Sequence, residues 1–566
     1  MDFQGGQKRK QRVPTQVLEQ QKMRTYFDDV PEDIKEILSK EWGQRKKETL
    51  PSATERGIKI NVGDSFNQVF EFTLPPGYYN MVSGITSTKD ISPEFSDVGD
   101  LCTQLIDELS ETERRHGGTP WFASNVCDWD SKYAKKVEAN IRVRDAIINS
   151  CIKNRITLVG GETANLGDQV RKNGMSWMFT LLSKYDDLAN LKNEGVSFDE
   201  LLNQELSSTF GYIPDYMNYE IVNVNGIPLL YVKKAANFVM TADGPGSKAI
   251  LGYDGRILDT LAMTCDDATR DGAFPLIASI GVDAENTAGK QQFIDSLIRA
   301  GKDYLMPMIG CVYRKTDDVN THIMNGVVLS EVKGKSAHIG KEIKPGVYLV
   351  ILPEEQRSNG ITTQRNISEE TFGEDWHRIK ASDAFDILND SDHLDGKYSG
   401  IKLANGNRTL GELVAKPSTP YFRIDSRMPD ELLDKVKFRI NVSSGGLFGK
   451  TRRLLKPLGL GAEYSDVFKA PDLILLLQMA SQLGSKGVIP DEVAYYTWGC
   501  GTGAVIGTTD PDSICKYYND NKIGAEFGGV VTPYQEIKIA SRCLDAHMSG
   551  KEYMWIRHKH ADKPLG

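Results

Sequence analysis

From residue 55 onward, short β-rich apolar runs alternate with longer stretches whose apolar residues recur at helical spacing, and this alternation occurs twice. The first pass predicts a strand at 79–83, a helix at 100–115, a strand at 121–126, a helix at 141–153 and strands at 157–159 and 176–182. The second pass predicts the same order: a strand at 237–241, a helix at 256–270, a strand at 275–282, a helix at 291–300 and strands at 305–309 and 321–329. Each first helix is followed by a small-residue step into proline, Gly118-Thr119-Pro120 in one pass and Gly272-Ala273-Phe274-Pro275 in the other. A repeat of about 120 residues is too long for a solenoid unit and suits a duplicated domain.

The flanking segments divide the rest. Residues 1–54 read as a polar leader with one helix, where Asp29 and Glu32 form a capping-box pattern before Ile34, Ile37, Leu38 and Trp42. Residues 55–186 and 221–340 hold the two passes, joined by a polar connector at 187–220 with some helix at 198–205. Residues 341–566 form a third region. Its apolar runs at 347–352 and 421–424, its apolar helix at 473–483 and its glycine turns at 443–446 and 499–501 suggest a further mixed domain.

Composition narrows the class. At 566 residues the chain has room for roughly three to four domains. With 40% hydrophobic and 26% charged residues it carries the composition of a globular protein rather than a disordered one. A net charge of -9 disfavours a general nucleic-acid binder, and the basic cluster Lys8, Arg9, Lys10 and Arg12 reads as a solvated tail or a local contact. The sequence has neither a membrane-length apolar run nor an apolar signal segment at its start, so no membrane partner and a cytoplasmic location are expected. The eight cysteines stand far apart with no C-x-x-C pair, which fits reduced thiols.

The sharpest local pattern is Thr241-Ala242-Asp243-Gly244-Pro245-Gly246-Ser247-Lys248, directly after an apolar strand. Gly244 and Gly246 let backbone N–H groups approach an anion, Lys248 can neutralise it, and Asp243 can hold the magnesium that accompanies a nucleotide. Asp, Gly and Pro are also ordinary turn residues, and the spacing is not that of a P-loop. Asp259, Asp266 and Asp267 on the next helix add oxygen ligands or a solvated acidic face. In the first pass, Gly160-Gly161-Glu162-Thr163-Ala164 can present a carboxylate and a hydroxyl, or serve as a tight connector. Ser443-Ser444-Gly445-Gly446 opens a helix, where an anion site and a simple cap are alternatives. Zinc-type histidine spacings and a serine-hydrolase elbow are both lacking.

Taken together, these residues resemble the aminoimidazole ribonucleotide synthetase (phosphoribosylformylglycinamidine cyclo-ligase) family and its ATP-dependent relatives, over about residues 55 to 535. The resemblance rests on the Asp-Gly-x-Gly-x-Lys loop from Asp243 to Lys248, the Ala-Met-x-x-x-Asp helix from Ala262 to Asp267 and the Gly-Gly-Glu-Thr-Ala turn from Gly160. It also rests on Ser358-Asn359-Gly360, the segment Leu410 to Tyr421, and the turns Ser443 to Leu447 and Gly499-Cys500-Gly501. It implies an α+β fold of two tandem N-terminal-type domains pairing as an intramolecular pseudo-dimer, followed by one C-terminal α/β domain, with further homo-oligomerisation left open.

The implied activity is ATP-dependent closure of the imidazole ring of formylglycinamidine ribonucleotide, releasing ADP and phosphate, with ATP and Mg2+ as cofactors. By the same resemblance, Asp243, Asp266 and Asp267 would hold the metal, and Lys248, Asp243 and Glu162 would serve the chemistry. Gly244, Gly246, Ser247, Lys248, Gly160, Gly161, Glu162 and Thr163 would bind the nucleotide. Ser358, Asn359, Gly360, Ser443, Ser444, Gly445 and Gly446 would bind the ribonucleotide substrate.

The chain departs from the family pattern at several places. Gly84 stands where the first pass should carry the metal-loop Asp, and Gly310-Cys311-Val312-Tyr313 replaces Gly-Gly-Glu-Thr in the second. These losses are complementary, so one complete site is expected, made from both passes. Arg357 and Asn441 occupy usual histidine positions, and Thr497 replaces an asparagine, which leaves another small acceptor or a non-catalytic scaffold as rival readings.

Overall fold

The computed structural model describes residues 44–62, 70–89, 91, 96–130, 137–166, 169–188, 191, 205–213, 218–225, 227–251, 255–270, 272–332, 342–390, 398, 400–484, 488–548 and 551–559. The expected leader helix, the basic cluster and nearly all of the expected connector helix lie outside the described residues.

Three β-sheets organise the chain. The first runs in the order Thr157–Leu158, Gly118–Trp129, Met175–Tyr185, Gly77–Thr88, Ile227–Val232, Tyr219–Val224, with Glu162–Asn165 also pairing with Gly118–Trp129. The second runs Ile60–Val62, Phe70–Leu74, Ala236–Asp243, His322–Val332, Ala273–Ala284, Val312–Lys315. Helices Ser96–Arg115 and Val137–Lys153 accompany the first sheet, and Arg256–Arg270 and Lys290–Tyr304 the second. The periodicity is visible in the burial: Ile257, Leu261 and Cys265, four apart, lie in one core cluster with Ala278 and Val328 of the second sheet.

The two sheets match in detail. Both long central strands carry a register shift beside the proline, at Pro120/Phe122 and at Pro275/Ile277. Parallel pairing follows the same spacing, Leu158 with Ala123 and Glu162 with Val126, against Met308 with Ala278 and Val312 with Gly281. The strand expected at 305–309 is reduced to that single Met308 bridge, and the strand lies at Val312–Lys315 instead. Leu305 ends the preceding helix with a left-handed φ of 54°, and Pro307 has no N–H to give.

One feature of connectivity was absent from the alternation. The Phe70–Leu74 strand pairs with Ala236–Phe238 of the second sheet, while Ile227–Val232 pairs with Gly77–Tyr79 of the first. The strands at 60–74 and 219–232 therefore lie in the opposite sheets from those that the expected segments 55–186 and 221–340 would give them. The short links at 75–76 and 233–235 each cross from one sheet to the other. Phe72 of one sheet stacks on Phe122 of the other with ring centroids 4.0 Å apart. Met81, Met178, Met240, Leu276 and Ile309 lie in the same core, so the sheets share their apolar interior.

The third sheet holds Val436–Asn441, Thr502–Thr508, Tyr348–Pro353, Glu526–Thr532, Gly461–Tyr464, Glu536–Ser541 and Met554–Lys559 in that order. Separate apolar clusters line it, one including Ile474 and Leu477 of helix Asp472–Ser481 and the other Ile514 and Tyr518 of helix Pro511–Asp520. The apolar run at 421–424 enters the helix Phe422–Asp425, following Pro420. Among the described residues no helix is long and apolar enough to cross a membrane.

Candidate functional site

The candidate site forms where the Gly-Gly-Glu turn of the first sheet meets the end of a second-sheet strand. Gly160 lies so close to that strand that a Cβ there would sit 2.6 Å from the Met240 carbonyl oxygen. Gly310 makes the reciprocal approach, its missing Cβ abutting the carbonyl of Met81. Only glycine fits either contact. Through the Gly160 contact Glu162 comes within electrostatic reach of Asp243, the last residue of strand Ala236–Asp243.

Three carboxylates then share one region. Burial raises the Asp243 carboxyl well above its ordinary range, and the charges of Glu162 and Asp267 push it further. Asp243 accepts a hydrogen bond from the Gly244 N–H at 2.7 Å. Asp267 goes the other way, held low despite its burial by Arg270, Lys450 and the Asn441 amide. Arg270 pairs with it at 3.3 Å, and Asn441 Nδ2 donates to Asp267 Oδ1 at 2.8 Å. Of the pair, Asp243 carries the raised carboxyl and Asp267 the lowered one, the first pressed by neighbouring negative charge and the second supported by cations and an amide.

Two cations complete the region, and neither was singled out in the sequence. Lys46 is 7% exposed, and burial lowers its ammonium to about 8 against the pull of Glu162. Lys450, on helix Gly446–Leu455, is also lowered to about 8, chiefly by desolvation, with Asp267 and Glu162 opposing. No motif marks a lysine near residue 46; for Lys450 the position beyond the Gly445-Gly446 turn was the available signal.

A hydrated divalent cation fits the oxygen set. Asn441 Oδ1 and Asn125 Oδ1 are buried acceptors without a donor among the described residues, one on the amide that meets Asp267 and the other 2.9 Å from where a Gly161 Cβ would be. Orphaned acceptors beside mutually repelling carboxylates suit a cation that keeps much of its water. No three Asp, Glu, His or Cys side chains among the described residues are grouped to hold a metal unaided.

Several expected ligands are engaged elsewhere. Lys248 is fully buried: its Nζ donates to Asp259 Oδ1 at 2.9 Å and to the Lys416 carbonyl, so it does not face the carboxylates. Ser418 N and Oγ both donate to that Asp259 oxygen at 2.7 Å. Asp266 is likewise no metal ligand. It accepts from Arg357 Nη2 at 2.6 Å and from Phe422 N at 2.8 Å, with 0% exposure. Asp259 and Asp266, two turns apart on one face of helix Arg256–Arg270, both meet the third region, and their charges are spent there and on Lys248.

The remaining residues serve packing in varying degree. Gly244 lies against Met324 and Asn325, with a virtual Cβ 2.6 Å from the carbonyl oxygen of Met324, whereas Gly246, with φ of 58°, has open space above it. Ser247 Oγ meets Thr362 Oγ1 at 2.9 Å. Gly161 and Glu162 are exposed, and Thr163 pairs through its backbone with Cys127. Asn359 Nδ2 donates to the Thr497 carbonyl at 2.9 Å and to Ser443 O at 3.4 Å, tying turns together instead of pointing outward. Ser358 Oγ lies 3.5 Å from Ser418 Oγ, and Gly360 packs under Trp498. Ser443 is buried, Ser444 exposed, Gly445 partly exposed, and Gly446 packs against the Tyr495 and Trp498 carbonyls at the helix start.

Comparison with known proteins gives a partial match. No protein-family model matches the chain. Phosphoribosylformylglycinamidine cyclo-ligase of Methanococcus maripaludis (strain C5 / ATCC BAA-1333) is 26% identical over 298 residues, covering 51% of this chain and 75% of that protein. Among solved structures, thiamine-monophosphate kinase from Stenotrophomonas maltophilia K279a overlaps 60% of this chain and 94% of its own, at 12% identity and a TM-score of 0.40. Hydrogenase maturation protein HypE in complex with ATP overlaps 62% and 92%, at 13% identity and a TM-score of 0.37. The chain is thus similar in sequence, over about half its length, to curated proteins named phosphoribosylformylglycinamidine cyclo-ligase.

Proposed function

We propose that the chain is an ATP-dependent ligase of the cyclo-ligase kind, closing the imidazole ring of formylglycinamidine ribonucleotide through one composite nucleotide site. The observation that carries this reading is the meeting of Glu162 from the first sheet with Asp243 and Asp267 from the second, in a chain similar to curated cyclo-ligases. The two matched sheets are read as a fused pseudo-dimer in which each half has lost a different part of the site. Asp243 and Asp267 would hold Mg2+, which supplies charge neutralisation for the nucleotide phosphates. Glu162 would contribute from the other half, and the Ser443 to Gly446 turn would sit over the substrate phosphate.

The residues' own work is positioning. Arg357 of the third region is pinned in an ion pair with Asp266, and Lys248 is pinned by Asp259 of its own region and by the Lys416 carbonyl of the third, so both tie the helix that carries Asp267 to the region that carries Asn441. Formamide activation by phosphate transfer and attack by the amidine nitrogen within the same molecule then need alignment and charge stabilisation more than a strong base.

A second reading keeps ATP and changes the acceptor. It is favoured by Arg357, which stands at an expected histidine position and spends its guanidinium on Asp266 and Glu354. The test is ADP release by the purified protein with Mg-ATP, with and without formylglycinamidine ribonucleotide. Release that depends on the ribonucleotide supports the first reading, and release only with another amide supports the second. No release and no nucleotide binding would reject both.

A further inference from the structure

The nucleotide reading leaves one charge unaccounted for. A triphosphate brings several negative charges to a region that already holds Glu162, Asp243 and Asp267, and the lysine expected to offset them is shut away against Asp259 and the Lys416 carbonyl. Lys46 is felt by Glu162 alone of the three carboxylates. Arg270 is committed to Asp267 at 3.3 Å. Lys450 differs from each of them. Its charge acts on Asp243 and Asp267 and is itself acted on by Asp267 and Glu162, so it lies within electrostatic reach of all three. Among the described residues it nonetheless makes no hydrogen bond and no ion pair within 4.0 Å, although it is only half-exposed.

The placement is local and built. Asn441 ends strand Val436–Asn441 with its amide on Asp267, the chain turns through Ser443 to Gly446, and Lys450 follows one helical turn later. The oxygen of that same Asn441 amide is a buried acceptor with no donor among the described residues. A half-buried ammonium beside three carboxylates with no partner of its own is poised for a mobile anion, since a fixed partner would already be in contact.

We infer that Lys450, supplied by the third region, is the phosphate-contacting cation of the composite site and takes the place expected of Lys248. The inference rests on the nucleotide reading above and names a binding residue within it. Because Lys450 comes from a different region than Asp243 or Glu162, phosphate contact would require all three regions at once.

The test uses the full chain with magnesium tripolyphosphate and Mg-ATP as probes. Lys450→Met is expected to weaken both by about tenfold or more, the scale of a lost charge-assisted contact, with Lys450→Arg restoring most of it. Adenosine affinity, which involves no phosphate, should be unchanged by either. Should Lys450→Met fail to fold, the wild-type protein still decides the matter: acylation of Lys450 by an amine-selective reagent at pH 8 should be slowed by tripolyphosphate. Wild-type affinity in Lys450→Met, or acylation indifferent to tripolyphosphate while that probe binds, overturns the assignment. Absence of any nucleotide or tripolyphosphate binding to the wild-type chain overturns the nucleotide reading itself, and the inference with it.

Discussion

The Gly160 and Gly310 turns make the same close approach to a neighbouring strand, yet only one of the two junctions carries charge. At the first, Glu162 faces Asp243 and Asp267. At the second, Val312 holds the position equivalent to Glu162 in the parallel pairing, and Gly84 stands where Asp243 would be. The second junction has also been filled: a Cβ on Gly84 would lie 2.8 Å from Leu105 and 3.0 Å from Leu109 of helix Ser96–Arg115. The packing that holds two sheets together is thus separable from the chemistry placed upon it. The apolar junction keeps the packing, and the charged one accepts the repulsion of three carboxylates, a cost that structure alone does not reward.

The largest expected effect breaks the comparison from its silent side. Gly84→Asp would put a carboxylate among leucines, and overpacking plus an unpaired buried charge should cost about 3 kcal/mol or more in denaturant unfolding. It should not create a second nucleotide site. Asp243→Asn, by contrast, should weaken Mg-ATP about 100-fold in calorimetry while leaving the fold as stable as wild type, because it relieves repulsion instead of removing a partner.

A smaller effect separates the two turns. Glu162→Ala should weaken Mg-ATP by about tenfold at unchanged stability, whereas Val312→Ala should leave nucleotide affinity alone and cost about 1 kcal/mol of packing. Equal effects of the two on nucleotide binding would erase the difference between the junctions.

The smallest effect is a pH slope. Asp128 and Asp283 occupy equivalent strand positions, but among the described residues the side chain of Asp128 meets only the Asn325 amide, and its carboxyl is raised to about 7 by burial and nearby charge. Asp283 is clasped by Arg314 at 2.7 and 3.0 Å and by Ser176 at 2.7 Å. A raised carboxyl binds its proton more tightly folded than unfolded, so the stability it lends is complete below the ordinary carboxylate range near 4 and is lost as pH rises to about 7. Asp128→Asn should flatten that decline in unfolding measurements between those limits. Asp283→Asn should instead lower stability across the range by leaving Arg314 without its partner.

The sequence made the alternation legible because amphipathic helices and β-rich runs announce themselves locally, and the second pass could be matched to the first by its proline step. It did not reveal that Phe70–Leu74 and Ile227–Val232 pair in the opposite sheets, since pairing partners far apart in sequence leave no periodic trace. In the site, the glycines at 160 and 161 and the acid at 243 stood out, and Glu162 lies within electrostatic reach of Asp243. Asp266 and Lys248 were misjudged for a physical reason: spacing shows which face of a helix a charge occupies, but not whether Arg357 or Asp259 waits there to neutralise it. Lys46 carries no pattern because a lone lysine has none, and Lys450 had only its position beyond the Gly445-Gly446 turn to mark it.

If two halves make one nucleotide site, the stoichiometry of Mg-ATP binding to the full chain must show it. Calorimetric titration should give one ATP per chain, with the binding lost from the Asp243→Asn, Glu162→Ala double variant at unchanged thermal midpoint. Two equivalent ATP sites per chain, or one site indifferent to both substitutions, would contradict it.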